Sequence, residues 1–133
     1  MAIISIIFIS MNNNTKRTLV IGASLNPERY AFKAVKALHA HGHKVIAYGL
    51  RSGEIDRTPI EITWDESWQA DTVTLYMNAK RQEAYIDRII ALKPKRVIFN
   101  PGTENPFFYE KLTHSGIPFI EACTLVLLAT GQY

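Results

Sequence analysis

The sequence predicts an α/β fold: a Rossmann-like, doubly wound, five-stranded parallel sheet in order 3-2-1-4-5, with helices on both faces as three α/β/α layers. Three observations predict it. Short apolar runs alternate with helical segments from residue 17 to the end. The runs are β-branched and almost continuously apolar, as strands buried on both faces must be. Glycine or proline punctuates most junctions between them.

The elements follow in order. Arg17 to Ile21 reads as a buried first strand, and Gly22 to Glu28 as a loop. Arg29 to His41 reads as a helix with Tyr30, Ala34, Val35 and Leu38 roughly on one face, closed by Gly42. Lys44 to Tyr48 is the second strand. Residues 49–70, with Gly49, Gly53 and Pro59, are expected to form a long connection with little regular structure. Asp71 to Tyr76 is the third strand and Lys80 to Leu92 the second helix. Lys95 to Asn100 is the fourth strand, and Pro101 to Pro106 a turn-rich loop. Phe107 to Ser115 is a helix ended by Gly116, Ile117 to Ile120 the fifth strand, and Cys123 to Ala129 a short last helix.

The length of 133 residues suits one domain, assigned to residues 15–133, which can bury a core without disulfides. Residues 1–14 are set apart as an N-terminal extension. Residues Ala2 to Ile9 are strongly apolar but lack a basic flank and are too short to span a membrane. Met11 opens a polar stretch and is expected to be the natural start, unless the apolar segment serves as an edge strand or oligomer contact.

A net charge of +3, with no basic run interleaved with aromatics, suits a phosphorylated ligand and gives no case for nucleic acid. The lone Cys123 cannot form an internal disulfide, which points to a reducing cytoplasm and excludes a multi-cysteine metal site. No metal site is expected at His39, His41 and His43, which read as a solvated helix end.

In the predicted strand order the chain reverses between strands one and four, and ligands bind in such a crevice at the carboxyl ends of the strands. Gly22–Glu28 and Pro101–Pro106 flank it. Gly22 lets the backbone approach a ligand, Ser24 offers a hydroxyl, and the amides opening the next helix favour a phosphate. Arg29 and Lys33 add charge, and Tyr30 a ring or a donor. The dinucleotide fingerprint is not met, because Ser24 and Pro27 replace its second and third glycines. A bare tight turn at Gly22 is the competing reading. The second strand ends Ala47-Tyr48-Gly49-Leu50-Arg51, without the carboxylate that reads an NAD ribose. Arg51 suits a phosphorylated ribose, or is simply a solvated loop residue. Met77 offers a soft surface for an adenine, while Lys80 and Arg81 serve a phosphate or only a helix surface. Asn100, Thr103 and Asn105 offer neutral groups to an amide-bearing arm, or cap the next helix. Ser24 has no recognisable His–Asp pair, and Cys123 sits in an apolar run, so no catalytic residues are expected.

Five stretches carry a resemblance: VIGASLNPERY at 20–30, GHKVIAY at 42–48, NAKRQ at 78–82, FNPGTEN at 99–105 and ACTLVLLATGQY at 122–133. The chain resembles the small coenzyme A-binding-domain proteins, which are similar to the N-terminal nucleotide domain of the succinyl-CoA ligase alpha subunit. The resemblance implies coenzyme A across the crevice, with the pyrophosphate at Gly22, Ala23, Ser24, Asn26, Arg29 and Tyr30. It implies the 3′-phosphate at Arg51, the adenine near Met77 and Asn78, and the pantetheine arm near Asn100, Pro101 and Gly102. The ligase's catalytic domain is absent, so a coenzyme A or acyl-CoA binder without chemistry of its own is expected. An NAD(P)-dependent oxidoreductase or redox sensor, and an interaction subunit needing a partner, are the alternatives. A homo-oligomer is left open.

Overall fold

The computed structural model describes residues 16–133. The expected extension over residues 1–14 therefore lies outside the described residues. The chain runs β1 (Arg17–Ala23), α1 (Tyr30–Ala40), β2 (Lys44–Gly49), β3 (Gly53–Ile55), β4 (Thr58–Glu61) and β5 (Thr72–Leu75). It continues α2 (Ala79–Gln82), α3 (Ile86–Ala91), β6 (Arg96–Phe99), α4 (Pro106–His114), β7 (Phe119–Glu121) and α5 (Thr124–Ala129).

The α/β class and the parallel core are as expected, but the strand number and order are not. The sheet has seven strands in the order β3-β4-β2-β1-β5-β6-β7, all pairings parallel except the β3–β4 hairpin. The five-strand order 3-2-1-4-5 is thus corrected. Residues 49–70 hold two strands that the sequence hides. The hairpin turns through Asp56 and Arg57, both at positive φ (45° and 66°), where a glycine or asparagine would have signalled a tight turn. Pro59 within β4 also argues against a strand. Yet Ile55 and Ile60 are buried, and β4 pairs with β2 through Ala47↔Ile60. With that place beside β2 taken, the strand at 72–75 pairs with the free side of β1. The topological switch point accordingly falls between β1 and β5, not beside the strand at 96–99.

The connection from β4 to β5 lays Trp64, Trp68 and Ala70 over one face of the sheet, against a cluster that includes Ile46 and Tyr48. Ile86 and Ile89 of α3 and Phe108 and Leu112 of α4 fill the same layer. The opposite layer holds Val35 and Leu38 of α1, Leu128 of α5 and the two hairpin isoleucines. The side chain of Leu38 is fully buried, so its truncation to alanine costs about 2–5 kcal/mol.

The helix expected over residues 80–92 is two helices, broken at Glu83–Tyr85. Gln82 causes the break to be useful: it is fully buried and its amide reaches out of the helix. Its Nε2 donates to Met77 O (2.9 Å) and Thr103 O (2.7 Å), while its Oε1 accepts from Asn105 Nδ2 (2.9 Å). One side chain thereby ties the loop after β5 to the loop after β6.

Candidate functional site

The carboxyl ends of β2, β1, β5 and β6 open into one cleft of about 820 Å³. That size falls in the roughly 300–1,000 Å³ typical of small-molecule sites. With parallel strands about 4.8 Å apart, the edge from β2 to β6 spans roughly 14 Å.

The first loop is shaped by Gly22 and by short polar turns. Gly22 has φ +95° and forms a bulge in β1, so that Ile21 pairs with Tyr48 and Ala23 with Gly49. A Cβ there would stand 2.9 Å from the Tyr76 carbonyl oxygen, which requires glycine twice over. Ser24 Oγ accepts from Asn26 N (3.1 Å), and Asn26 Oδ1 accepts from Glu28 N (3.0 Å). These bonds turn the chain into α1, whose N-cap Arg29 provides no side-chain hydrogen bond. The first-turn amides at Tyr30, Ala31 and Phe32 thus have no side-chain acceptor, and they carry the positive end of an 11-residue helix.

Arg29, Arg51 and Arg81 are the cations of the lining, and among the described residues no Asp, Glu, His or Lys side chain joins them. Glu104 is not in the lining, and its Oε1 accepts from Gly102 N (2.8 Å). The cleft therefore favours an anion at the α1 end.

Eleven of the twelve residues singled out by sequence meet here: Gly22, Ala23, Ser24, Asn26, Arg29, Tyr30, Arg51, Met77, Asn78, Pro101 and Gly102. Met77 and Asn78 stand across β1 from Arg51, because β5 lies on that side. Asn78 also caps α2, accepting from Arg81 N (2.9 Å). Arg81 lines the cleft and Lys80 does not. Lys33 lies over the Tyr30 ring at 5.4 Å.

Asn100 stays out of the lining. It is 2% exposed, its Nδ2 donates to Thr74 Oγ1 (2.7 Å) and Leu75 O (2.9 Å), and its Oδ1 accepts from Thr124 N (2.9 Å). Its work is to fasten β6 to β5 and α5. Asn105 caps α4, accepting from Phe108 N. The three helix-end histidines diverge. His39 bonds to Thr58 Oγ1, His41 to Ala37 O, and His43 Nδ1 accepts from Lys16 N.

Tyr48, Tyr76, Tyr85 and Leu50 also line the cleft without having been singled out. Tyr48 read as a strand residue, and Tyr85 lies between the two short helices α2 and α3. Burial, with the bond from Tyr48 to Tyr85, pushes the Tyr48 phenol up to about 12. Burial also raises Tyr76 to about 12.

A second cavity of about 550 Å³ lies at the amino ends of the strands, among Lys16, Arg17, Lys44 and Lys93. Among the described residues no helix N-terminus borders it, and it lies at the opposite edge from the carboxyl ends where open α/β sheets bind ligands. Among the described residues no helix is long and apolar enough to cross a membrane.

The sequence matches the family model described as a CoA binding domain over residues 16–129. The crystal structure of an uncharacterised protein is similar at 43% identity and a TM-score of 0.87, covering 91% of this chain and all of that one. A Thermus thermophilus protein shares the fold at 20% identity and a TM-score of 0.80, covering 95% of this chain and 96% of its own. A Pyrococcus horikoshii protein does so at 24% identity and 0.77, covering 88% and 84%. No curated protein matches the chain.

Proposed function

The chain belongs to the CoA-binding domain family, and we propose that it holds coenzyme A or an acyl-CoA in the carboxyl-edge cleft without acting on it. The pyrophosphate sits against the first-turn amides of α1 and the loop from Gly22 to Asn26. Arg51 receives the 3′-phosphate, and the pantetheine arm runs past β5 toward Pro101 and Gly102. The observation that carries this reading is the uncapped α1 N-terminus, which opens into a cleft whose charged lining is three arginines.

Absence of chemistry is supported by what the lining offers. Among the described residues no Asp, Glu, His or Lys lines the cleft beside Ser24 to serve as a general base. The protein works as a carrier or sensor in a reducing cytoplasm, where Cys123 stays a thiol.

Calorimetry with coenzyme A, dephospho-coenzyme A, NAD and NADP tests the proposal. Coenzyme A binds tightest, and removal of its 3′-phosphate weakens it. Tighter binding of either nicotinamide dinucleotide overturns the assignment and favours an oxidoreductase or redox-sensing module.

A further inference from the structure

The amino edge of the sheet gathers cations for which the coenzyme A reading has no use. The cavity of about 550 Å³ there is lined by Lys16, Arg17, Lys44 and Lys93, against one carboxylate, Asp71. That leaves the lining at +3, as much as the net charge of the whole chain. Arg17 and Lys44 are register partners at the starts of β1 and β2, so their Cα atoms stand about 4.8 Å apart. Asp71 is already committed: its Oδ2 accepts from Arg17 N (3.1 Å), and its Oδ1 lies 3.7 Å from Lys95 Nζ. Among the described residues none of the four lining cations forms an ion pair. Helix ends do not absorb their charge either. The α1 carbonyls of Ala37, Leu38 and His39 accept from the backbone amides of His41, His43 and Gly42, and those of Ile89 and Ile90 in α3 from Leu92 N and Lys93 N.

We propose that this cavity is a second, anion-binding site that takes a compact polyvalent phosphate, a di- or triphosphate group either free or carried by a nucleotide. The inference stands independently of the coenzyme A reading. A single carboxylate would leave most of the lining unmatched, whereas each phosphate brings about one to two negative charges at pH 7. Arg17 Nη1 donates to Gln69 Oε1 (3.2 Å), which leaves the rest of the guanidinium fork without an acceptor among the described residues. Lys16, Lys44 and Lys93 add point charges around it. Lys16 is crowded by like charge. Its Nζ lies 5.6 Å from the centroid of the Tyr133 ring, and Arg96 Cζ lies 4.5 Å from the same centroid. Burial, and then the Arg96 guanidinium, hold the Lys16 ammonium below its usual range, against a smaller upward pull from Asp71. A bound anion relieves that crowding. Lys93 stands at φ +52° directly before Pro94, where a glycine would sit with less strain. Backbone strain of this kind collects at ligand sites.

The experiment titrates the intact, isotope-labelled protein with inorganic tripolyphosphate and follows backbone amide shifts. Saturable shifts at Arg17, Lys44 and Lys93 are expected, with or without others at Gly22 to Phe32. Lys93→Gly removes one charge and relieves the positive φ. It should therefore keep or raise Tm while weakening the amino-edge site roughly three- to fivefold, as the loss of one exposed charge pair does. Its calorimetric heat with coenzyme A should not change. Adenosine triphosphate, run as a second arm, separates the two sources. Equal affinity at the same amides supports a site that admits a nucleotide, and weaker binding supports one restricted to the free anion. Tripolyphosphate shifts confined to Gly22 to Phe32, amino-edge shifts that never saturate, or a Lys93→Gly protein with undiminished affinity overturns the proposal. Absence of heat with coenzyme A overturns the cleft reading alone and leaves this site standing.

Discussion

Replacing Gly22 with alanine strikes the first loop in two separable ways. A positive φ of 95° costs an L-residue about 1–2 kcal/mol, and a Cβ at 2.9 Å from Tyr76 O and 3.0 Å from Tyr76 C adds an overpacking cost of about 1–3 kcal/mol. Two other glycines isolate these components. Gly102 has φ +90° with nothing within 4 Å of a Cβ, so Gly102→Ala carries the conformational cost alone. At Gly49 the φ lies outside the left-handed range, but a Cβ would fall 2.3 Å from Ala23 O, so Gly49→Ala carries the collision alone. The double hit at Gly22 should cost roughly 2–5 kcal/mol. At about 4 °C per kcal/mol for a domain of this size, calorimetric Tm falls by roughly 8–20 °C. Gly22→Ala should also weaken coenzyme A by at least about tenfold, because the bulge sets the direction of the amides that follow. Gly102→Ala should spare most of the affinity. A Gly22→Ala protein no less stable than Gly102→Ala would refute the reasoning that Tyr76 and the bulge together demand glycine.

Arg51→Ala should weaken coenzyme A about tenfold in calorimetry while leaving dephospho-coenzyme A nearly unchanged, as a charge-assisted bond to the 3′-phosphate requires. Gln82→Leu strands the carbonyls of Met77 and Thr103 and the amide of Asn105, so urea denaturation should show a loss of about 2–4 kcal/mol, with faster amide exchange in both loops. Tyr48 and Tyr76 are raised to about 12 from the ordinary 10.0 by burial. The folded state therefore favours the protonated phenols. Their contribution to stability is complete below pH 10 and lost between pH 10 and 12, by about 1–3 kcal/mol for the well-buried Tyr76 and by less for Tyr48, whose phenol is paired with Tyr85. Chemical denaturation across that window should show the fall, and Tyr48→Phe should make it shallower.

The class of fold was legible because buried parallel strands are apolar throughout: RTLVI, KVIAY and KRVIF could be nothing else in this setting. The hairpin at 53–61 was not, since its turn uses Asp56 and Arg57 and its inner strand contains Pro59. Missing it displaced the third strand to the wrong side of β1 and moved the switch point. The first loop was legible, because glycine followed by polar turn formers and a helix start has few other uses. Asn100 misled, since an asparagine at a strand end looks the same whether it faces a ligand or, as here, spends its bonds on Thr74, Leu75 and Thr124. Tyr85 was missed for the opposite reason: at three residues after Gln82 and four before Ile89 it reads as one more residue of the buried helix face, and nothing in that spacing tells that it also borders the cleft.

Backbone amide chemical shifts, followed by NMR during titration of isotope-labelled protein with coenzyme A, test most directly whether the α1 N-terminus holds the diphosphate. The largest perturbations should fall on Gly22 to Phe32 and around Arg51. Saturable perturbations centred instead on Arg17, Lys44 and Lys93, at the opposite edge of the sheet, would contradict it.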